Sequence, residues 1–156
     1  PICQSVVAFA NRGGYVFGVC NGFQVLTETG LLPGALLRNA GLKYICKHVE
    51  LNVETTQSAY TSAYKADQSI TIPIAHHDGN YNLDDADAQA LFDQDRVAFT
   101  YADNPNGSVR SIAGVLSENR RVLGMMPHPE RLADPAQGGT DGQPFFAGLM
   151  DQIATV

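Results

Sequence analysis

Several things this 156-residue sequence lacks narrow it before any motif does. It has no CxxC pair. Cys3, Cys20 and Cys46 are an odd, scattered set, which argues against a disulfide framework or a zinc site and makes a reduced, cytoplasmic setting the default. No apolar run approaches the roughly 20 residues that a membrane helix needs, so no segment reads as spanning a bilayer. Basic residues are few, 10 against 16 acidic, and the formal net charge of −6 argues against binding nucleic acid or an anionic membrane through bulk electrostatics. There is no repeat and no low-complexity segment. The chain opens at Pro1 without the charged and apolar regions of a signal peptide, and reads as starting in the middle of something longer.

What is present is ordinary for a globular protein: 44% apolar and 17% charged residues, in a length that suits one domain with a real core. Ile2, Val6, Val7 and Ala10 lie near helical spacing, stopped by Gly13-Gly14. Tyr15 to Val19 is a short apolar run, as in a strand covered on both faces. Asn21 to Thr29 then reads as a helix ended by Gly30. The helix–strand–helix order predicts an α/β fold: a doubly wound, mostly parallel sheet with helices on both faces. Further strands are expected at Lys43 to Val53, Ile70 to Ala75 and Arg96 to Tyr101. Ile112 to Leu116 and Val122 to Met126 are expected to pair across the polar Ser117–Arg121 turn. Leu83 to Phe92 reads as an acidic surface helix and Phe145 to Ile153 as a final amphipathic one.

The run Gly18-Val19-Cys20-Asn21-Gly22 carries the first chemistry. A cysteine between a strand and a helix, with glycine two residues to either side, has the spacing of the nucleophile elbow G-x-S-x-G, with sulfur replacing oxygen. The turn is sharp and strained, so side chains at the flanking positions are expected to collide with neighbouring backbone. At a helix N-terminus, partial positive charge and free amides favour a thiolate, and the Asn21 amide points where an oxyanion would form. Alone, the pattern also fits a small buried cysteine after a strand.

Pro127-His128-Pro129-Glu130 is the second element, just past the strand Val122 to Met126, where α/β sites are built. Pro129 pushes His128 into an extended conformation, in which residues two apart point the same way. Glu130 can then hold one imidazole nitrogen while the other takes the thiol's proton. His48 reads as a surface residue. His76 and His77 lack a third metal ligand at suitable spacing, and a loop donating backbone groups to a ligand is the better reading of His77-Asp78-Gly79-Asn80.

Gly18-Val19-Cys20-Asn21-Gly22-Phe23-Gln24, followed much later by His128-Pro129-Glu130, resembles the signature of class I (triad) glutamine amidotransferases, G-x-C-x-G-x-Q with H-x-E. Leu31-Leu32-Pro33-Gly34, Arg38-Asn39, His76 to Tyr81, Asn104 to Ser108 and Met126 to Arg131 narrow the likeness to the small glutaminase subunits of phosphoribosylformylglycinamidine synthase, along nearly the whole chain. The resemblance implies a flavodoxin-like fold and a single type-1 amidotransferase domain over residues 1–156. It implies that Cys20 attacks glutamine, that His128 shuttles protons and that Glu130 orients His128. Asn21, Gln24, His77, Asp78 and Gly79 would grip the substrate. Ammonia would pass to a synthetase subunit in purine synthesis, with a third small subunit as a further bridging partner. This chain would need no cofactor of its own, and the synthetase would use ATP and magnesium. Asn106, Gly107 and Ser108 would either lie toward the synthetase or form a plain tight turn.

Two departures stand out. The family carries N-terminal strands and a glycine-rich loop that are not in this sequence, so an N-terminal part is expected to be missing from it. Tyr101 to Asn104 is also shorter than usual in the family. Two rival readings remain: a stand-alone cysteine hydrolase of similar fold, such as a γ-glutamyl hydrolase, and an inactive structural subunit.

Overall fold

The apolar runs of the middle and C-terminal parts of the chain converge on one six-stranded sheet. In the computed structural model, which describes residues 2–155, the sheet runs β1 (Val16–Val19), β8 (Val122–Met125), β7 (Ile112–Leu116), β6 (Val97–Tyr101), β3 (Ile45–Val53), β4 (Ser69–His76). A separate ribbon pairs β2 (Ala35–Leu37) with β5 (Asn80–Asn82). The α-helices among the described residues are α1 (Ile2–Asn11), α2 (Asn21–Glu28), α3 (Asp85–Asp93) and α4 (Gln143–Ala154).

The α/β class read from the sequence is the one observed, but the sheet is mixed rather than mostly parallel. Only β1–β8 is parallel; β8–β7, β7–β6, β6–β3 and β3–β4 are antiparallel. The connections explain this. A parallel return needs a crossover of about a dozen residues or more, and the Ser117–Arg121 turn between β7 and β8 is too short for one.

Helices do cover both faces. On one, Phe145 of α4 and Tyr60 and Tyr64 of the turns between β3 and β4 pack on Leu51, Ile72 and Leu123. On the other, Phe23 and Leu26 of α2, with Ala88 and Leu91 of α3, pack on Val115 and Val122. Alternation along β8 sends Leu123 and Met125 to the first cluster and Val122 to the second, as a pleated strand requires. Each fully buried large side chain contributes about 1.5–3 kcal/mol. Gly124 lets α2 approach: a Cβ there would lie 2.2 Å from the Phe23 ring. β1 is less covered than expected, because it forms the edge of the described sheet and only Gly18 in it is buried. β3 buries Val49, Leu51 and Val53 and exposes His48 and Glu50, so the β3–β4 hairpin leaves one face open. α3 starts later than read, at Asp85, and buries Ala88 and Leu91 beneath its acidic surface.

Candidate active site

β1 ends at Val19 and α2 begins at Asn21, so Cys20 alone makes the turn. Its backbone has φ 54° and ψ −111°, a region that a residue with a side chain occupies only under strain of about 1–3 kcal/mol. Neighbouring structure holds it there. The Cys20 amide donates to Met125 of β8 at 2.9 Å, and the Cys20 carbonyl accepts from Phe23 at 3.0 Å and Gln24 at 3.3 Å. The two flanking glycines are not equivalent. A Cβ on Gly18 would fall 2.6 Å from the Gly22 carbonyl oxygen and 2.5 Å from Leu26, whereas a Cβ on Gly22 would meet nothing within 4 Å. The collision expected at both positions exists only at Gly18, where α2 turns back over the strand. The Asn21 amide, first in α2, has no protein acceptor among the described residues, as the geometry of a helix start dictates.

The half-buried Cys20 Sγ donates to the Ala75 carbonyl at 3.6 Å, tying the turn to the end of β4. The His128 amide donates to Pro73 of the same strand at 2.8 Å. His128 is buried, with φ −108° and ψ 84°, out of the helical region as Pro129 demands. Its Nδ1 lies 2.6 Å from Glu130 Oε1. The pair forms through a short 3₁₀ turn, Pro129–Arg131, rather than through the extended segment expected from the sequence. The Nε2 atom is buried without a hydrogen-bond partner among the described residues. Burial pulls the ring's pKa down, but the Cys20 side chain and the Glu130 carboxylate outweigh it and lift it to about 9. Burial acts to raise the Glu130 carboxyl, yet the bond from His128 and the nearby Arg131 hold it below the usual range.

The loop after β4 starts at His77, two residues beyond Ala75. His77 is half-buried, Asp78 exposed and Gly79 buried. His77 Nδ1 is 3.5 Å from Asp78 Oδ1, and Arg38 Nε is 3.8 Å from the same oxygen. Gly79 has to be glycine, since a Cβ would sit 2.3 Å from the His76 ring. Both polar groups of Gly79 are engaged inside the protein: its amide donates to Asn39 Oδ1 at 3.0 Å, and its carbonyl accepts from Asn106 Nδ2 at 2.8 Å. A bond from this loop to a ligand therefore falls to His77 or Asp78.

Of the other residues singled out in the sequence, Asn21 is exposed at the start of α2, beside Cys20. The Gln24 side chain instead donates to Glu28 one helical turn on, at 2.8 Å, and no described side-chain bond links it to Cys20 or His128. Asn106 and Ser108 are buried. They support the Gly79 loop from beneath, a role the sequence reading did not assign; Asn39 and His76, equally buried, belong to the same support. The signal was present as four asparagines and two histidines in the Arg38-Asn39, His76 to Asn80 and Asn104 to Ser108 runs, but nothing local says that these runs meet. No group of three or more His, Cys, Asp or Glu side chains suited to a metal ion occurs among the described residues. Among the same residues, no helix is long and apolar enough to cross a membrane.

Comparison with known proteins bears on this arrangement as a whole. The model of the CobB/CobQ-like glutamine amidotransferase domain matches residues 1–142. Subunit PurQ of phosphoribosylformylglycinamidine synthase from Ruegeria sp. is 72% identical over 149 residues, which is 96% of this chain and 67% of that protein. The Roseobacter denitrificans subunit PurQ is 68% identical over 156 residues, covering 100% of this chain and 70% of that protein. A solved structure of PurLQS from Thermotoga maritima superposes with a TM-score of 0.88 at 41% identity, over 97% of this chain and 68% of that one. The likeness spans the Cys20 turn, the Gly79 loop and the His128 turn together, and so the chain belongs to the CobB/CobQ-like glutamine amidotransferase family.

Proposed function

We propose that this chain is the glutaminase part of a phosphoribosylformylglycinamidine synthase, releasing ammonia from glutamine for a synthetase partner that spends ATP in purine synthesis. The proposal extends the role of its relatives, the PurQ subunits, to this chain. The observation that carries the chemistry is the strained Cys20 turn, set against a buried histidine whose far nitrogen is held by a carboxylate at 2.6 Å.

The geometry supports a two-stage reaction. Cys20 Sγ attacks the side-chain carbonyl carbon of glutamine, and the thiol proton passes to His128 Nε2, the ring nitrogen that has no other partner. Negative charge on the former carbonyl oxygen is met by the unused Asn21 amide at the start of α2. A ring with its pKa lifted to about 9 holds the proton it has taken, and as an acid it gives that proton to the nitrogen of the leaving ammonia as the C–N bond breaks. The product is a thioester on Cys20. Water then gives a proton to His128 and attacks the thioester; the C–S bond breaks, the sulfur regains its proton, and glutamate leaves. Glu130 stays ionised throughout and keeps the Nδ1 proton in place. His77 and Asp78 present the loop to the amino-acid end of glutamine, and Asn21 lines the other side. No residue in this site calls for a cofactor, and a third bridging subunit is compatible with the reading.

The test is Cys20→Ala in the subunit assembled with its synthetase. Glutamine-dependent synthesis falls to background while ammonia-dependent synthesis persists, measured side by side. Unchanged glutamine-dependent synthesis would refute the assignment, and the competing stand-alone hydrolase reading predicts no stimulation of glutamine hydrolysis by the synthetase.

A further inference from the structure

The Gly79 loop is held by side chains drawn from segments distant in sequence. Asn39 lies at the centre and is fully buried. Its Nδ2 donates to the carbonyls of Lys43 at 2.8 Å and His76 at 3.0 Å, and its own backbone amide donates to His77 at 2.9 Å. With Nδ2 committed, Oδ1 is the acceptor. It receives the Gly79 amide at 3.0 Å and faces His76 Nδ1 at 2.9 Å. His76 therefore carries its proton on Nδ1 and leaves a lone pair on Nε2.

That lone pair faces Asn106 Nδ2 at 3.5 Å. The orientation of Asn106 is set by Ser108, whose amide and hydroxyl lie 3.1 Å and 2.6 Å from Asn106 Oδ1. Asn106 Nδ2 is thus the donor that reaches the Gly79 carbonyl at 2.8 Å. One residue of the loop is gripped at its amide by one asparagine and at its carbonyl by the other, with a neutral imidazole wedged between them. A second proton on His76 would set Nε2–H against the N–H of Asn106, donor against donor. Burial, reinforced by His128 and opposed by Asp78, keeps the ring neutral, with its pKa lowered to about 4.

We propose that Asn39, His76 and Asn106 form a positioning clamp that holds Gly79 so that the adjoining His77–Asp78 backbone meets glutamine in one fixed pose. None of the three touches substrate. The clamp rests on the reading of residues 77–79 as the glutamine loop. An exposed loop closing on a small ligand would otherwise lose conformational freedom at each binding event, and a clamped loop does not.

The test is steady-state kinetics of the subunit assembled with its synthetase, with glutamine and with ammonia as nitrogen donor. Asn39→Ala raises KM for glutamine about tenfold or more, while kcat at saturating glutamine and ammonia-dependent synthesis stay within about twofold. His76→Asn, whose amide can still donate to Asn39, keeps KM within about threefold of the parent, and His76→Ala does not. An unchanged glutamine KM in folded Asn39→Ala overturns the clamp and leaves the glutaminase reading standing, since the parent enzyme still turns over glutamine in the same assay. Should Asn39→Ala fail to fold, the His76 pair decides: equal KM values in His76→Asn and His76→Ala overturn the clamp. A loss of ammonia-dependent synthesis in parallel with the glutamine reaction overturns it too, since that marks a defect in assembly rather than in the glutamine pose.

Discussion

The Cys20 corner and the Gly79 loop meet at the end of β4 and are built by opposite means. The corner is local. Ten residues, from Gly18 to Thr27, contain the strained cysteine, the glycine that lets α2 fold back and the turn's first helical bonds. The loop is supported from a distance: the side chains that hold Gly79 come from Asn39, Asn106 and Ser108, joined through His76. Strain at the corner is a property of one residue's backbone, imposed by what surrounds it. Order in the loop is a property of a hydrogen-bond network, and it depends on every member being satisfied. A motif search finds the first kind of site and passes over the second.

After the loss of Cys20 itself, the largest effect expected on the corner side comes from Glu130→Gln. The substituted amide oxygen can still accept from Nδ1, so the geometry survives, but the charge that helps lift His128 is gone. Glutamine turnover is predicted to fall about 10²–10⁴-fold, the range for a disabled acid–base group. The pH dependence follows from the sign of the shift. The folded-state pKa of His128 is raised from 6.5 to about 9, so its contribution to stability is fully present below pH 6.5 and is lost as pH rises through 9. In Glu130→Gln the ring's pKa drops back, and the variant loses less of its Tm than the parent between those pH values. The alkaline limb of its pH–rate profile moves to lower pH. Thermal melts across pH and a ring-proton titration by NMR check both; parallel Tm curves for the two proteins would contradict the charge argument.

Gly18→Ala is expected to act less on rate and more on structure. The added methyl would lie 2.6 Å from a backbone oxygen, which cannot swing aside as the Leu26 side chain can. Overpacking of this kind costs about 1–3 kcal/mol. Displacing Cys20 by a fraction of an ångström is expected to lower glutamine turnover about tenfold or more, with the ammonia reaction spared. A wild-type melting temperature would show that α2 is not pressed onto the strand at this point.

The same contrast explains what the sequence revealed. Its strand and helix segments were legible because each carries its own periodicity or punctuation, as with Gly13 (φ 86°) ending α1. Cys20, His128 and Glu130 were legible because elbow spacing and a proline-bracketed histidine are local. The parallel-sheet expectation failed because the strand signal is silent on direction; only connection length, as at Ser117–Arg121, restricts it. β2 and β5 were missed for a different reason. At three residues each they are too short for alternation to mark them as strands, and they exist only through each other, Leu36 opposite Tyr81. That ribbon is what brings Asn39 to the Gly79 loop. Asn106 could equally have been a turn residue until its burial placed it under the loop.

The smallest effect is expected at the second glycine of the elbow, and it sharpens the comparison most. A Cβ on Gly22 meets nothing within 4 Å, and the residue lies in the first turn of α2, where alanine is the better helix former. Gly22→Ala should therefore raise stability by about 0.4–1 kcal/mol, through a less flexible unfolded chain, and leave kcat within about twofold. Steric need at the elbow would then be one-sided: strict at Gly18, where helix meets strand, and absent at Gly22. If Gly22→Ala instead raises Tm and loses turnover, the open space beside Gly22 serves the reacting glutamine rather than the fold, and the elbow's two glycines have separate jobs.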